Sequence, residues 1–178
     1  MSSGGQLVSV DVASKTIKTD FESYRADVAN IIPPQRAGGV TTLAGVADRT
    51  GWCPIDPITF ESKQQANIHV IGDAAIAGAM PKSASAANSA GKLCAAAIVE
   101  LLAGAKPREP ELASACYSLL APGYAISITG KYHPAGDQFI EIEGAGETSP
   151  LEAPRSRREE DAKLADGWFT QITGEVFG

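Results

Sequence analysis

The sequence predicts an α/β fold, read as α+β when these 178 residues are taken alone. Three observations carry this. Alternating β-branched residues open the chain. A short, continuous apolar strand at 67–71 leads into a long alanine-rich helix. A second hairpin then precedes a closing helix. The length allows one domain or two small ones and is sufficient for a substantial core.

The elements follow in order. Met1-Ser2-Ser3-Gly4-Gly5 has neither the basic start nor the apolar stretch of a secretory signal, so it reads as a flexible lead-in. Leu7 to Val12 and Thr16 to Thr19, joined by Ala13-Ser14-Lys15, carry a hairpin signature. A third strand is expected at Val28–Ile32, ended by Pro33-Pro34. Such a meander is small for a domain and reads as one layer of something larger. Thr41 to Ala47 has room for one or two helical turns, and Gly51-Trp52-Cys53-Pro54-Ile55-Asp56-Pro57 is loop chemistry. Asn67 to Ile71 has the composition of a strand buried on both faces. Gly72-Asp73 breaks it. The helix that follows runs from about Ser83 to Ala103. Its stripe is Ala87, Ala90, Cys94, Ala97 and Leu101, widened by Ile98 and Leu102, with Gly104 and Pro107 as stop signals. Tyr124–Tyr132 and Gln138–Glu143 form the second hairpin. A last helix spans Arg155 to about Ile172, with Leu164, Ala165, Trp168, Phe169 and Ile172 on one face and a solvated start at 155–160.

Composition narrows the function. Apolar residues make up 44% and charged residues 20%, the balance of a globular chain rather than a disordered one. Fifteen Lys and Arg against 21 Asp and Glu leave a net charge of −6. That argues against nucleic acid, whose phosphates need clustered cations. No apolar run approaches the ~18 residues of a membrane span. Three cysteines and two histidines are too few for a disulfide scaffold or a His-rich or four-cysteine metal site, and no metal ligand set is assigned.

Two places could carry chemistry. Asp73, just past a buried strand and before a helix, can accept hydrogen bonds from the vicinal hydroxyls of a ribose or ribityl chain. The helix start near Pro81 offers free N–H groups and a partial positive charge. The same Asp also suits a turn or a cap. Cys53 sits in a stiff loop beside Trp52 and before Pro54. Its thiol is a redox or nucleophilic centre if its pKa is depressed, and otherwise a half-buried cysteine. Cys94 falls on the apolar helix face, and both it and Cys116 read as structural. His69 and His133 have no acid or base partner at fixed spacing.

The pieces are more telling in series. Ile31-Ile32-Pro33-Pro34-Gln35, Gly51 to Pro57, Thr59-Phe60-Glu61-Ser62 and Ile68-His69-Val70-Ile71-Gly72-Asp73-Ala74 come first. Met80-Pro81-Lys82-Ser83, Ala87-Asn88-Ser89, Cys116-Tyr117-Ser118-Leu119 and Trp168-Phe169-Thr170-Gln171-Ile172-Thr173 follow. In that order they resemble, over nearly the whole chain, the C-terminal part of the flavoprotein subunit of flavocytochrome c sulfide dehydrogenase, of the pyridine-nucleotide-disulfide reductase superfamily.

The resemblance implies a three-part layout. Residues 1–34 would be closing strands of a second Rossmann-like domain. Residues 35–104 would be the return into the FAD-binding domain, and 105–178 a C-terminal interface domain of hairpin plus helix. FAD is the implied cofactor. Asp73 would hold its ribityl chain, with Gly72 admitting the backbone. Pro81, Lys82 and Ser83 would lie near the isoalloxazine edge, and Trp168 would approach the ring from the C-terminal domain. Cys53 would be half of a redox-active disulfide. Sulfide is the implied substrate and a periplasmic c-type cytochrome subunit the implied partner, without membrane insertion. The family's Gly-rich FAD fingerprint and upstream partner cysteine are not in these residues. The chain therefore reads as a C-terminal portion, expected on its own neither to hold FAD tightly nor to turn over sulfide. Two other readings stay open: a cofactor-free module that docks a cytochrome or other subunit, and a quinone-linked sulfide oxidoreductase of the same superfamily. The charged start of the last helix fits the second poorly.

Overall fold

A computed structural model describes residues 5–178. Of the lead-in read at residues 1–5, residues 1–4 lie outside them. The chain divides after residue 35 into two units, taken separately here.

The first unit is an antiparallel meander of β1 (Leu7–Asp11), β2 (Thr16–Thr19) and β3 (Ser23–Arg25), in that order. The expected hairpin is present. Asp11 Oδ1 closes its turn by accepting from the N–H groups of Ala13 (2.9 Å) and Ser14 (3.2 Å), the local bond that makes Asp a turn former. The third strand lies earlier than expected. Thr19 reverses the chain at once, its N–H donating to the Glu22 carbonyl (2.8 Å) and its Oγ1 accepting from the Glu22 N–H (3.0 Å). Tyr24 is thereby brought opposite Ile17, and 28–32 contains no strand. Every residue of β1 is exposed, so this layer buries no face within its own unit.

The second unit holds α1 (Gly39–Leu43), β4 (Cys53–Pro54), β5 (Ala75–Ile76), α2 (Ala84–Leu102), β6 (Leu112–Ala121), β7 (Tyr124–Ala135), β8 (Gln138–Glu141), β9 (Glu147–Thr148) and α3 (Arg155–Phe177). Within the segment read as loop, β4 pairs in parallel with β5, Cys53 opposite Ala75. The apolar run 67–71 is not a strand. A run of that kind needs a neighbour on each side. Among the described residues it has only a single bridge, His69 to Glu61, and Ile68 and Ile71 stay exposed.

Helix α2 forms where expected. Ser83 Oγ accepts from the Ala86 N–H (3.2 Å), and Gly104 leaves the helix at φ +71°. Its buried face is Ala86, Ala90, Cys94 and Ala97, one position round from the expected stripe at its start, and Leu101 and Leu102 are exposed. Strand β6 accounts for the rotation. The N–H groups of Ala113 and Ala115 donate to Ser89 Oγ (3.3 Å) and Ser85 Oγ (3.0 Å), so helix hydroxyls satisfy an edge that would otherwise stand open.

The C-terminal sheet runs β6-β7-β8, with β9 also on β7. The expected hairpin is β7–β8; β6 and β9 enlarge it to four strands. The burial of β6 alternates at Leu112 and Ser114. Small and polar residues at inward positions give a weak strand signal, which is why β6 was not expected. Helix α3 extends to Phe177 and buries Arg158, Asp161, Ala162 and Ala165. Leu164 and Phe169 of the expected stripe are exposed, and residue 158 of the supposedly solvated start is buried. Asp161 turns the helix: its carboxylate accepts from Ser127 Oγ (3.0 Å) and Ser149 Oγ (2.6 Å), from β7 and the loop after β9.

Ile55, Phe60, Ala75, Met80, Ala86, Ala90, Cys94, Leu112, Tyr132 and Phe139 form the core. The 78–79 loop runs along β8, with the Ala79 N–H on the Phe139 carbonyl (3.0 Å). Gly78 has φ +62°, and a Cβ there would overlap that carbonyl oxygen. Gly78→Ala is therefore expected to destabilise by about 2–4 kcal/mol, from left-handed strain plus overpacking. Urea unfolding measures it; an unchanged midpoint would contradict the close approach.

Candidate functional site

The β4–β5 pair fixes the site. It lays Trp52 and Cys53 beside Ala75, while the chain from Gly78 to Lys82 folds back before α2 begins. Lys82 Nζ donates to the carbonyls of Asp73 and of Ala75, the second at 3.2 Å. It also stands 4.0 Å from the centre of a Trp52 ring, within cation–π range. Burial pushes the ammonium pKa down, against the opposing pull of Asp73 and Cys53. Around it lies a recess of about 220 Å³ lined by Trp52, Ala75, Ile76, Ala77, Gly78, Met80 and Lys82. Its walls are largely apolar, and Lys82 is the one charged group in the lining.

Gly72, Asp73 and Ala74 form a single 3-10 turn at the same place. Gly72 has φ +66° and lies against α2, where a Cβ would meet the Ala87 methyl at 3.3 Å. Asp73 is exposed. Pro81 and Lys82 are exposed as well, and Ser83 is the α2 cap, its Oγ also 3.2 Å from Ser114 Oγ. The fold thus gathers Gly72, Asp73, Pro81, Lys82 and Ser83 around the start of α2, although the Ser83 hydroxyl is already engaged.

Trp168 is placed elsewhere. On α3 it meets the Tyr117 ring at 6.4 Å and 45°. It lines a groove of about 340 Å³ with Ser85, Asn88, Lys92 and Glu175 among others, none of which lines the Lys82 recess. Glu175 organises that groove. It pairs with Lys92 (2.7 Å) and accepts from Gln171 (2.9 Å) and Asn88 (3.2 Å), and the Lys92 contact foremost holds its carboxyl at about 2.

The three thiols differ sharply. Cys53 has no exposed surface. Burial pushes its pKa up; the Thr41 hydroxyl and Lys82 oppose this, and Asp48 adds to it. The depressed thiol considered from the sequence is not found. Cys94 is also buried and its pKa raised by burial. Cys116, read from the sequence as structural, is exposed on β6. His69 is occupied, its Nδ1 2.8 Å from the Thr59 carbonyl. Among the described residues no cluster of three or more His, Cys, Asp or Glu is placed to hold a metal.

Residues 108–177 match the family model described as flavocytochrome c sulphide dehydrogenase, flavin-binding. This segment is similar to the flavin-binding domain of that family. It comprises β6 to β9 and α3, so the match covers the four-stranded sheet with its packed helix. The family resemblance and the flavin cofactor expected from the sequence agree with it. The residues outside the matched segment fit part of FAD. An exposed carboxylate at Asp73, a left-handed Gly72 and an apolar recess with one cation suit a hydroxylated chain and a flat ring. Among the described residues no Gly-rich strand–helix turn offers a pyrophosphate cradle.

Sequence reasoning assigned Trp52 no role. Its only signal was an aromatic next to Cys53; the lysine that it meets is too distant in sequence for any spacing rule to connect them.

Proposed function

We propose that the chain is the C-terminal portion of an FAD-dependent sulfide dehydrogenase, which oxidises sulfide and passes the electrons to a c-type cytochrome subunit in the periplasm. The observation that carries this reading is the flavin-binding match over 108–177. The gathering of Gly72, Asp73 and Lys82 around the start of α2 supports it. The layout that goes with it is 1–34 as closing strands of a second domain, 35–104 as the return into the FAD domain and 105–178 as the interface domain.

Bound FAD supplies the two-electron acceptor. The chain's own residues bind and orient. Asp73 accepts from ribityl hydroxyls, Gly72 lets the backbone close in, Pro81 and Lys82 border the ring edge, and Ser83 fixes the start of α2. Trp168, on α3 of the interface domain, lines the groove between α2 and α3.

In this reading hydrosulfide attacks one sulfur of a cystine. An S–S bond to the incoming sulfur forms, the cystine S–S bond breaks, and its second sulfur leaves as a thiolate. Re-forming the cystine then releases the outer sulfur at the oxidation level of elemental sulfur together with one proton and gives up two electrons; bound FAD would supply the acceptor for that pair, with c-type haem as the onward acceptor. Cys53 would be this chain's half of the cystine; its place on β4 opposite Ala75, a residue that lines the Lys82 recess, supports this. The other half would come from the remainder of the subunit.

Thiol substitutions in the complete flavoprotein subunit test this. Cys53→Ser is expected to reduce sulfide-dependent flavin reduction by at least 100-fold while flavin stays bound, on the order of the loss of a covalent catalytic group. Cys116→Ser is expected to leave the rate within a few-fold. The opposite pattern would move the role to Cys116, and full activity in both would remove the cystine from the mechanism.

A further inference from the structure

The Lys82 ammonium is held more firmly than a surface lysine needs to be. Lysine has three N–H donors. Two go to the carbonyls of Asp73 and Ala75, and a Trp52 ring lies 4.0 Å from the nitrogen. A lysine side chain loses rotamer freedom when fixed like this, yet none of these contacts is an ion pair that would stabilise a remote part of the fold. Of the eight salt bridges among the described residues, none uses Lys82. The contacts instead leave a partly dehydrated cation, with one N–H unassigned, in the lining of a recess that is otherwise largely apolar. A cation in such surroundings acts on an entering group more strongly than one in water.

We propose that Trp52, with the Asp73 and Ala75 carbonyls, positions the Lys82 ammonium as a fixed charge that raises the reduction potential of the flavin. This deepens the sulfide dehydrogenase reading and rests on it. Two-electron reduction leaves the pyrimidine end of the ring richer in negative charge. A fixed cation beside that end therefore favours the reduced flavin over the oxidised one. Lys82 is then the electrostatic group and Trp52 a positioning residue that acts through it. Arginine at 82 would keep the charge, and phenylalanine at 52 would keep a ring face for it.

The test is a reductive titration of the flavin-loaded, complete subunit against a reference dye. Lys82→Met is expected to reduce the preference for reduced over oxidised flavin about tenfold, a fall in midpoint potential of about 30 mV for a two-electron couple. Trp52→Leu should shift the potential in the same direction by a smaller amount. Lys82→Arg and Trp52→Phe should stay near wild type. Unchanged potentials in Lys82→Met, with flavin bound, would overturn this inference while leaving the parent reading intact. A fall in Lys82→Met without any shift in Trp52→Leu would overturn the positioning role of Trp52. A complete subunit that takes up no flavin would instead refute the sulfide dehydrogenase reading itself. Lys82 is exposed, so Met is accommodated without repacking, and circular dichroism of each variant checks that it folds.

Discussion

Asp161→Ala is expected to destabilise the second unit by about 3–5 kcal/mol, the usual loss when one partner of a buried charged network is removed. Asp161 has no exposed surface. Its oxygens accept from Ser127 Oγ, from Ser149 Oγ and from Arg157 Nε at 3.1 Å. Alanine would leave the buried Ser127 and Ser149 hydroxyls without their carboxylate acceptor, with only their mutual contact at 3.1 Å for their two O–H donors, and release the guanidinium that also reaches Glu147 at 3.1 Å. The three elements tied at this point are β7, the loop after β9 and α3. Neighbouring Arg158 pins the same loop through the Pro150 and Leu151 carbonyls, so the two residues together decide how α3 lies on the sheet. Loss of one of them loosens the whole flavin-binding segment. Burial alone would raise the carboxyl pKa of Asp161. Hydrogen bonds from Ser149, Arg157 and Ser127 outweigh it and hold the group below its ordinary value. Its contribution is therefore complete above the unfolded-state pKa of about 3.9 and is lost as pH falls through the lower folded value. Acid titration of stability should show that loss in the wild type and a weaker one in Asp161→Asn. Equal acid sensitivity in both would mean that the carboxylate is not the anchor.

Phe139→Ala is the second large effect, at about 3–5 kcal/mol for a fully buried aromatic. Phe139 is 1% exposed and its ring centre lies 5.9 Å from that of Phe60, at an interplanar angle of 29°. Phe60 belongs to the loop between β4 and β5, and Phe139 to β8. Their contact joins the β4–β5 loop to the C-terminal sheet, and the Phe139 carbonyl also accepts from the Ala79 N–H in the segment that lines the Lys82 recess. Guanidinium unfolding followed by Trp fluorescence would measure the loss. A cost under about 1 kcal/mol would show that the two parts are held together elsewhere.

The helices were legible because their signals are local. Ser83, Gly104 and Pro107 delimit α2 by capping and by φ alone. Their rotations were not legible. The buried face of α2 answers to β6 edge N–H groups, and that of α3 to a carboxylate whose partners are 34 and 12 residues away. No periodicity count holds that information. The run 67–71 shows the reverse case. It has the composition of a doubly buried strand, yet residues to flank it are not among those described. At the site, Gly72, Asp73, Pro81, Lys82 and Ser83 were legible as a set because they are near each other in sequence. The burial of Cys53 and the exposure of Cys116 were not legible, because they depend on long-range packing rather than on neighbouring prolines. The Trp52 contact with Lys82 was hidden for the same reason.

Anaerobic addition of sulfide to the flavin-loaded, complete subunit, followed by c-type cytochrome, tests the central claim most directly. The flavin's visible absorbance should bleach on sulfide addition and return as cytochrome is reduced, two haems for each sulfide consumed. A flavin that stays oxidised in excess sulfide would contradict the assignment of this chain to a sulfide-oxidising flavoprotein.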